Sequence, residues 1–111
     1  MTFAIDHLEN GVALVTLSAV SSRNAFSTDS MQMMAEIFEG LLDDLSVRAI
    51  VMTGTGNFFC SGADIDEFAS CIHDGTIGEV VENLTGILHP LELKIRGSET
   101  VFIAAINGAA A

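Results

Sequence analysis

Gly54-Thr55-Gly56-Asn57-Phe58-Phe59-Cys60-Ser61-Gly62-Ala63-Asp64-Ile65-Asp66-Glu67 is the stretch whose reading decides the fold. An apolar strand, Arg48 to Thr53, runs into it, and Gly54-Thr55-Gly56 turns the chain. Phe58 to Cys60 predict a short strand. A short helix opens at Asp64 and runs to about Ile72, where His73-Asp74-Gly75 break it. The first N–H groups of a helix lack intrahelical acceptors and carry partial positive charge. The order strand, turn, strand, helix therefore brings a main-chain N–H near Ala63 to the positive end of a helix. Such a donor can hold a polarised carbonyl oxygen, and the chemistry that needs one is acyl activation.

On the N-terminal side, Phe3 to His7 and Val12 to Ser18 read as strands around Glu9-Asn10-Gly11, where Asn-Gly signals a hairpin turn. Ala19 to Ser27 form a polar loop containing Ser21-Ser22-Arg23-Asn24-Ala25-Phe26. A helix follows, capped by Ser27 or Thr28 with Asp29 in its first turn. Met31, Met34, Ala35, Phe38, Leu41, Leu42 and Leu45 recur at spacings of three and four, which predicts one buried face. The strand from Arg48 is nearly continuous in apolar residues, the pattern of burial on both faces.

On the C-terminal side, Thr76 caps a longer helical pattern through Ile77, Val80, Val81, Leu84, Ile87, Leu88, Leu91 and Ile95. Pro90 falls inside it and is expected to kink or divide it. Val101 to Ile106 predict a further buried strand, ending in the turn Asn107-Gly108. Buried strands alternating with helices indicate an α/β architecture of repeated strand-strand-helix units, cut off after the third begins.

Half of the 111 residues are apolar, and the mean hydropathy is +0.50. A chain this short leaves much of itself near water, so the excess predicts surface meant to be covered. The net charge is −11, with Arg23, Arg48, Lys94 and Arg96 the only lysines and arginines. Nucleic-acid binding needs clustered cations, so that class is excluded. No basic amphipathic face suits a membrane surface, and Val101 to Ile106 is far too short to span a bilayer. Asp6 and Glu9 argue against a signal peptide. The expected compartment is the cytoplasm or an organelle matrix, where a Cys60–Cys71 disulfide is improbable and the sequon Asn83-Leu84-Thr85 carries no meaning.

Rival chemistries fail on spacing. A dinucleotide fingerprint needs a third glycine where Phe59 stands, and a helix directly after it. Cys60, Cys71 and His73 lack the paired spacing and fourth ligand of structural zinc, and the cysteines read as buried or semi-buried thiols. His7 and His89 are isolated, and no Ser-His-Asp set can be assembled. Met31 and Met34 belong to the helix stripe and so to core packing.

Four blocks then stand together: Arg23-Asn24-Ala25-Phe26, Val47 to Gly54, Phe59-Cys60-Ser61-Gly62-Ala63-Asp64-Ile65, and Ile103-Ala104-Ala105-Ile106-Asn107-Gly108-Ala109-Ala110. In order and spacing the chain resembles the N-terminal part of the enoyl-CoA hydratase/isomerase (crotonase) family. The resemblance implies a crotonase-like spiral of strand-strand-helix turns, with residues 1–111 the N-terminal portion of a single domain. It implies an acyl-CoA thioester as partner, with coenzyme A part of the substrate and no separate cofactor or metal. A homotrimer or hexamer is implied for the full-length protein. Carried across by position, Ala63 would give the first oxyanion N–H. Gly62, Asp64, Ile65 and Asp66 would bind the substrate along its CoA moiety. Ser21, Ser22 and Arg23 would contact the nucleotide, with Arg23 offsetting phosphate charge.

Glu99-Thr100 stands where the family usually has a proline. The larger departure is that the family's second oxyanion donor and its catalytic carboxylates fall beyond Ala111. The 111 residues are therefore expected to be inert as a hydratase, and Val101 to Ile106 to be an unprotected edge. Acids at a helix start mainly favour its positive end. Some family members place a catalytic acid in or after this helix, which keeps Asp66 and Glu67 in view. Isomerase, dehalogenase and thioesterase chemistries share the oxyanion site. The rival class is a non-catalytic binding or interaction fragment.

Overall fold

The computed structural model describes residues 1–111. Strand β1 (Thr2–Leu8) pairs antiparallel with β2 (Val12–Ser18). The turn between them carries positive φ at both Asn10 and Gly11 (62° and 76°), as the Asn-Gly signal predicts. β2 then pairs parallel with β3 (Ala49–Gly54), and β3 with β5 (Val101–Ala104). The sheet order is β1-β2-β3-β5. Beside it, β4 (Phe58–Cys60) pairs parallel with β6 (Ala109–Ala110), and Phe26 forms a parallel bridge with Ala63. β2, β3 and β5 are thus each followed by a second extended segment, and segments of successive turns lie side by side. This is the α/β spiral of strand-strand-helix turns anticipated from the sequence, with β6 the one strand not foreseen.

Helix α1 (Thr28–Asp43) starts at Ser27, whose side chain accepts the Ser30 N–H while Ser30 Oγ accepts the Ser27 N–H. This reciprocal cap uses two donors that would otherwise go unpaired. Met31, Met34, Ala35, Phe38 and Leu41 face the sheet and pack on Ala13, Val15, Leu17, Ile50 and Met52. Phe38 meets Phe102 of β5 edge-on at 5.1 Å. Leu45 departs from the expected stripe: it is 99 % exposed. The helix ends at Asp43, and the Asp44 carboxylate accepts both the Ser46 N–H and its hydroxyl (2.9 and 2.6 Å), turning the chain outward.

Helix α2 (Ile65–Asp74) ends at Gly75, with φ 74°. Thr76 does precede the next helix, α3 (Ile77–Gly97), but its side chain makes no cap bond. Its N–H instead donates back to the Cys71 carbonyl at 2.8 Å, closing the end of α2. α3 runs through Pro90 as one helix, so the proline does not divide it. Leu84 and Leu91, on either side of the proline, are buried in the core shared with α1, and this packing holds the two halves in one helix. Only those two residues of the stripe are fully buried; Val81 is 42 % exposed.

Two expectations about the strands need correction. The core lies on one face of the sheet, because α1 and α3 pack against that face together. Ile50 and Met52 of β3 are buried there, while Ala49 and Val51 on the other face stay partly exposed. β5 is likewise not a buried strand. It stops at Ala104 and lies at the sheet edge, with Phe102 turned inward and Val101 and Ile103 56 % and 47 % exposed. The expected apolar excess is therefore displayed at the surface. The accessible area, 6594 Å², exceeds the roughly 5,900 Å² typical of a closed monomer of this mass.

Candidate active site

The site is built where the first and second turns of the spiral touch. The Phe26 N–H donates to the Gly62 carbonyl and the Asp64 N–H to the Phe26 carbonyl, each at 2.8 Å. In a parallel bridge of this kind the central residue, Ala63, directs its own N–H away from the neighbouring segment. That N–H donates to no acceptor in the chain. Gly62, at φ 92°, makes the bend before it, a conformation favoured by glycine. α2 begins two residues after Ala63, so the free N–H lies near the positive end of that helix.

Asp64 is the N-cap of α2: its carboxylate accepts the Asp66 and Glu67 N–H groups at 2.9 and 3.2 Å. Glu67 reaches back to α1, where its carboxylate accepts the Thr28 N–H at 3.0 Å. Both acids therefore have structural work. Asp66 is exposed and makes no side-chain hydrogen bond.

Ser21, Ser22 and Arg23 lie across a polar cleft from Asp64, Ile65 and Asp66, enclosing about 290 Å³ with Ala63 at its end. The structure thus gathers into one groove residues that are some forty positions apart in sequence. The two sides are tied by the Ser61 N–H, which donates to the Arg23 carbonyl at 3.2 Å. Arg23 has left-handed backbone (φ 57°), and its guanidinium lies 5.8 Å from the centre of the Phe58 ring. It is the only cation lining the groove.

Gly62 and Ala63 also border a second cavity of about 550 Å³, walled mainly by apolar side chains of α1, α3 and the sheet. Met31 and Met34 line it while packing in the core. So does Cys60, whose sulfur accepts the Gly62 N–H at 3.3 Å and whose thiol is pushed up in pKa by burial. Ala63 is shared by both cavities and marks the junction between polar groove and apolar chamber.

Sequence reasoning missed Asn24, which is fully buried. Its amide nitrogen donates to the carbonyls of Thr55, Phe58 and Phe59, and its oxygen accepts the Ala19 N–H. An asparagine in a loop directly before an apolar pair was the available signal, because asparagine tolerates the left-handed backbone found there (φ 56°). No three His, Cys, Asp or Glu side chains converge as a metal set. No helix is long and apolar enough to cross a membrane.

The stacked strand-strand-helix turns define the crotonase class of fold. The family profile described as Enoyl-CoA hydratase/isomerase matches residues 7–111, and the chain belongs to that family. It is 36 % identical over 101 residues to the enoyl-CoA hydratase ACTT3 of Alternaria alternata, covering 91 % of this chain and 32 % of that protein. It is 27 % identical over 111 residues to the 1,2-epoxyphenylacetyl-CoA isomerase of Escherichia coli K12, covering 100 % of this chain and 42 % of that one. Among solved structures, Pseudomonas aeruginosa AtuE superposes with a TM-score of 0.83 at 28 % identity, over 98 % of this chain and 41 % of that one. The chain thus spans about a third to two fifths of the length of these relatives.

Proposed function

We propose that these residues form the thioester-binding part of an acyl-CoA enzyme that adds water to a 2-enoyl-CoA through an enolate held by main-chain N–H groups. Ala63 supplies the first of those donors. The observation that carries the reading is the unpaired Ala63 N–H at the junction of a polar groove and an apolar cavity. A thioester lying across that junction has its nucleotide side along Ser21, Ser22, Arg23, Asp64, Ile65 and Asp66. Its acyl side enters the apolar cavity, and its carbonyl oxygen meets the N–H. As water adds to the β-carbon, negative charge builds on that oxygen, and a donor already in place stabilises it without reorganisation.

Within residues 1–111, binding is proposed without appreciable hydration. One oxyanion donor in place of two lowers the rate by about 10²–10³. The Asp64 and Glu67 carboxylates, which could otherwise move protons, are engaged at helix starts. That engagement favours a second reading, a binding fragment without turnover. The 27 % identity to an isomerase along the whole chain keeps isomerisation beside hydration as the reaction of the whole protein.

Calorimetric titration with crotonyl-CoA and with free CoA tests the reading. Crotonyl-CoA is expected to bind more tightly than CoA, and Ala63→Pro, which removes the N–H, to erase the difference. Should that variant fail to fold, Ala63→Leu, which crowds the junction, serves instead. An unchanged preference for the thioester in the folded variants would sink the assignment.

A further inference from the structure

Glu67 lies in the first turn of α2, yet its carboxylate leaves that helix to accept the Thr28 N–H, at 3.0 Å through Oε2 and 3.3 Å through Oε1. Thr28 is the first residue of α1, so the N–H it offers is one that a helix start leaves without an intrahelical acceptor. Two residues earlier, Phe26 bridges Ala63. Segments 26–28 and 62–67 are therefore joined at successive points. The Phe26 N–H bonds the Gly62 carbonyl, the Asp64 N–H bonds the Phe26 carbonyl, and the Thr28 N–H bonds the Glu67 carboxylate. The first two bonds orient the Ala63 peptide. The third is the side-chain member of the set, and a carboxylate acceptor makes it the strongest in kind.

We infer that Glu67 is a positioning residue for the Ala63 donor, an inference that rests on the function proposed above. α2 contains no fully buried residue, and near its start only the half-buried Phe68 packs against the core, so packing holds that end weakly. The Glu67 bond pins that turn to the start of α1, which is itself fixed by the core contacts of Met31, Met34 and Phe38. Ala63 directly precedes the Asp64 cap, so the placement of the turn acts together with the two bridge bonds to set the direction of its N–H. The Thr28 N–H is shared between both Glu67 oxygens. A glutamine retains a carbonyl acceptor at the same reach. An aspartate, one methylene shorter, does not span the gap.

The test uses Glu67→Ala, Glu67→Gln and Glu67→Asp with two readouts. Hydrogen exchange at the Thr28 amide reports the bond without any ligand. The absorbance red shift of bound cinnamoyl-CoA reports polarisation of its conjugated carbonyl. Glu67→Ala and Glu67→Asp are expected to exchange Thr28 about tenfold faster or more. They are also expected to bind cinnamoyl-CoA with a diminished red shift, while Glu67→Gln restores most of both. If Glu67→Ala does not fold, Glu67→Asp against Glu67→Gln decides. A full red shift in variants with fast Thr28 exchange would reduce Glu67 to a helix cap and overturn the inference. No red shift in the unaltered protein would instead overturn the proposed function, and the positioning role with it.

Discussion

Asn24 and Asn107 donate to the same acceptor: their amide nitrogens lie 2.9 and 3.3 Å from the Phe58 carbonyl oxygen. One asparagine comes from the first turn of the spiral and the other from the third, and both grip the second. Asn24 adds the Thr55 and Phe59 carbonyls, while Asn107 adds the Gly56 carbonyl and accepts the Gly54 N–H. The turn Gly54 to Phe58 is therefore clamped from both sides before the chain enters Cys60 and the Gly62-Ala63 bend.

The two clamps differ in burial, and their loss is expected to differ accordingly. Asn24→Ala empties a fully buried site, leaving the Thr55 and Phe59 carbonyls and the Ala19 N–H without this partner while Phe58 keeps Asn107, and is predicted to cost about 2–4 kcal/mol. Asn107 is exposed, water replaces its bonds, and Asn107→Ala is predicted to cost about 1 kcal/mol. Urea unfolding of the two variants checks the order.

Glycines split into opposite groups. A Cβ on Gly54 would lie 2.5 and 2.6 Å from the Phe58 and Phe59 carbonyl oxygens and 2.9 Å from the Asn24 amide nitrogen. Gly54→Ala is therefore expected to destabilise the chain by about 2 kcal/mol or more through displaced main chain. Gly40, in α1, has nothing within 4 Å of its added Cβ, and Gly40→Ala is expected to stabilise by about 1 kcal/mol. Thermal unfolding of both variants distinguishes them by sign.

Burial raises the Cys60 thiol pKa above its ordinary 9.0, overriding the Gly62 N–H bond, which acts in the opposite direction. The folded state therefore holds this proton to higher pH than the unfolded chain does. Below the unfolded thiol pKa the contribution is fully present, and it is lost as pH rises above that value and through the folded one. Stability should fall on the alkaline side of pH 9, and less steeply in Cys60→Ala. A disulfide reagent at pH 8 should modify Cys71 before Cys60, which is buried.

Arg23 is the sole cation in a groove it shares with Asp64 and Asp66. Arg23→Gln is predicted to weaken CoA binding by about threefold at low salt, and by less at high salt, where exposed charges are screened. Titrations at two ionic strengths check both parts.

Much of this fold is legible in the sequence because periodicity and turn chemistry act locally. The α1 stripe, the Asn10-Gly11 hairpin and the Phe58–Cys60 strand all follow from neighbouring residues. What was misread depends on distant ones. The apolar run of β3 predicts two covered faces, yet α1 and α3 share one. Pro90 allows a division of the helix, yet α3 continues through it with Leu84 and Leu91 held in a common core. Glu67 reads as an acid suited to its own helix start and serves instead the start of another, thirty-nine residues away. Ala63 was legible as a donor near α2. That its N–H lacks an acceptor could come only from the bridge to Phe26.

The most direct test of the account is the amide resonance of Ala63, followed by ¹⁵N–¹H correlation spectroscopy during titration with crotonyl-CoA and with CoA alone. A downfield proton shift at Ala63 is expected with the thioester, absent or much smaller with CoA. An Ala63 amide that responds equally to both ligands, or to neither, would contradict it.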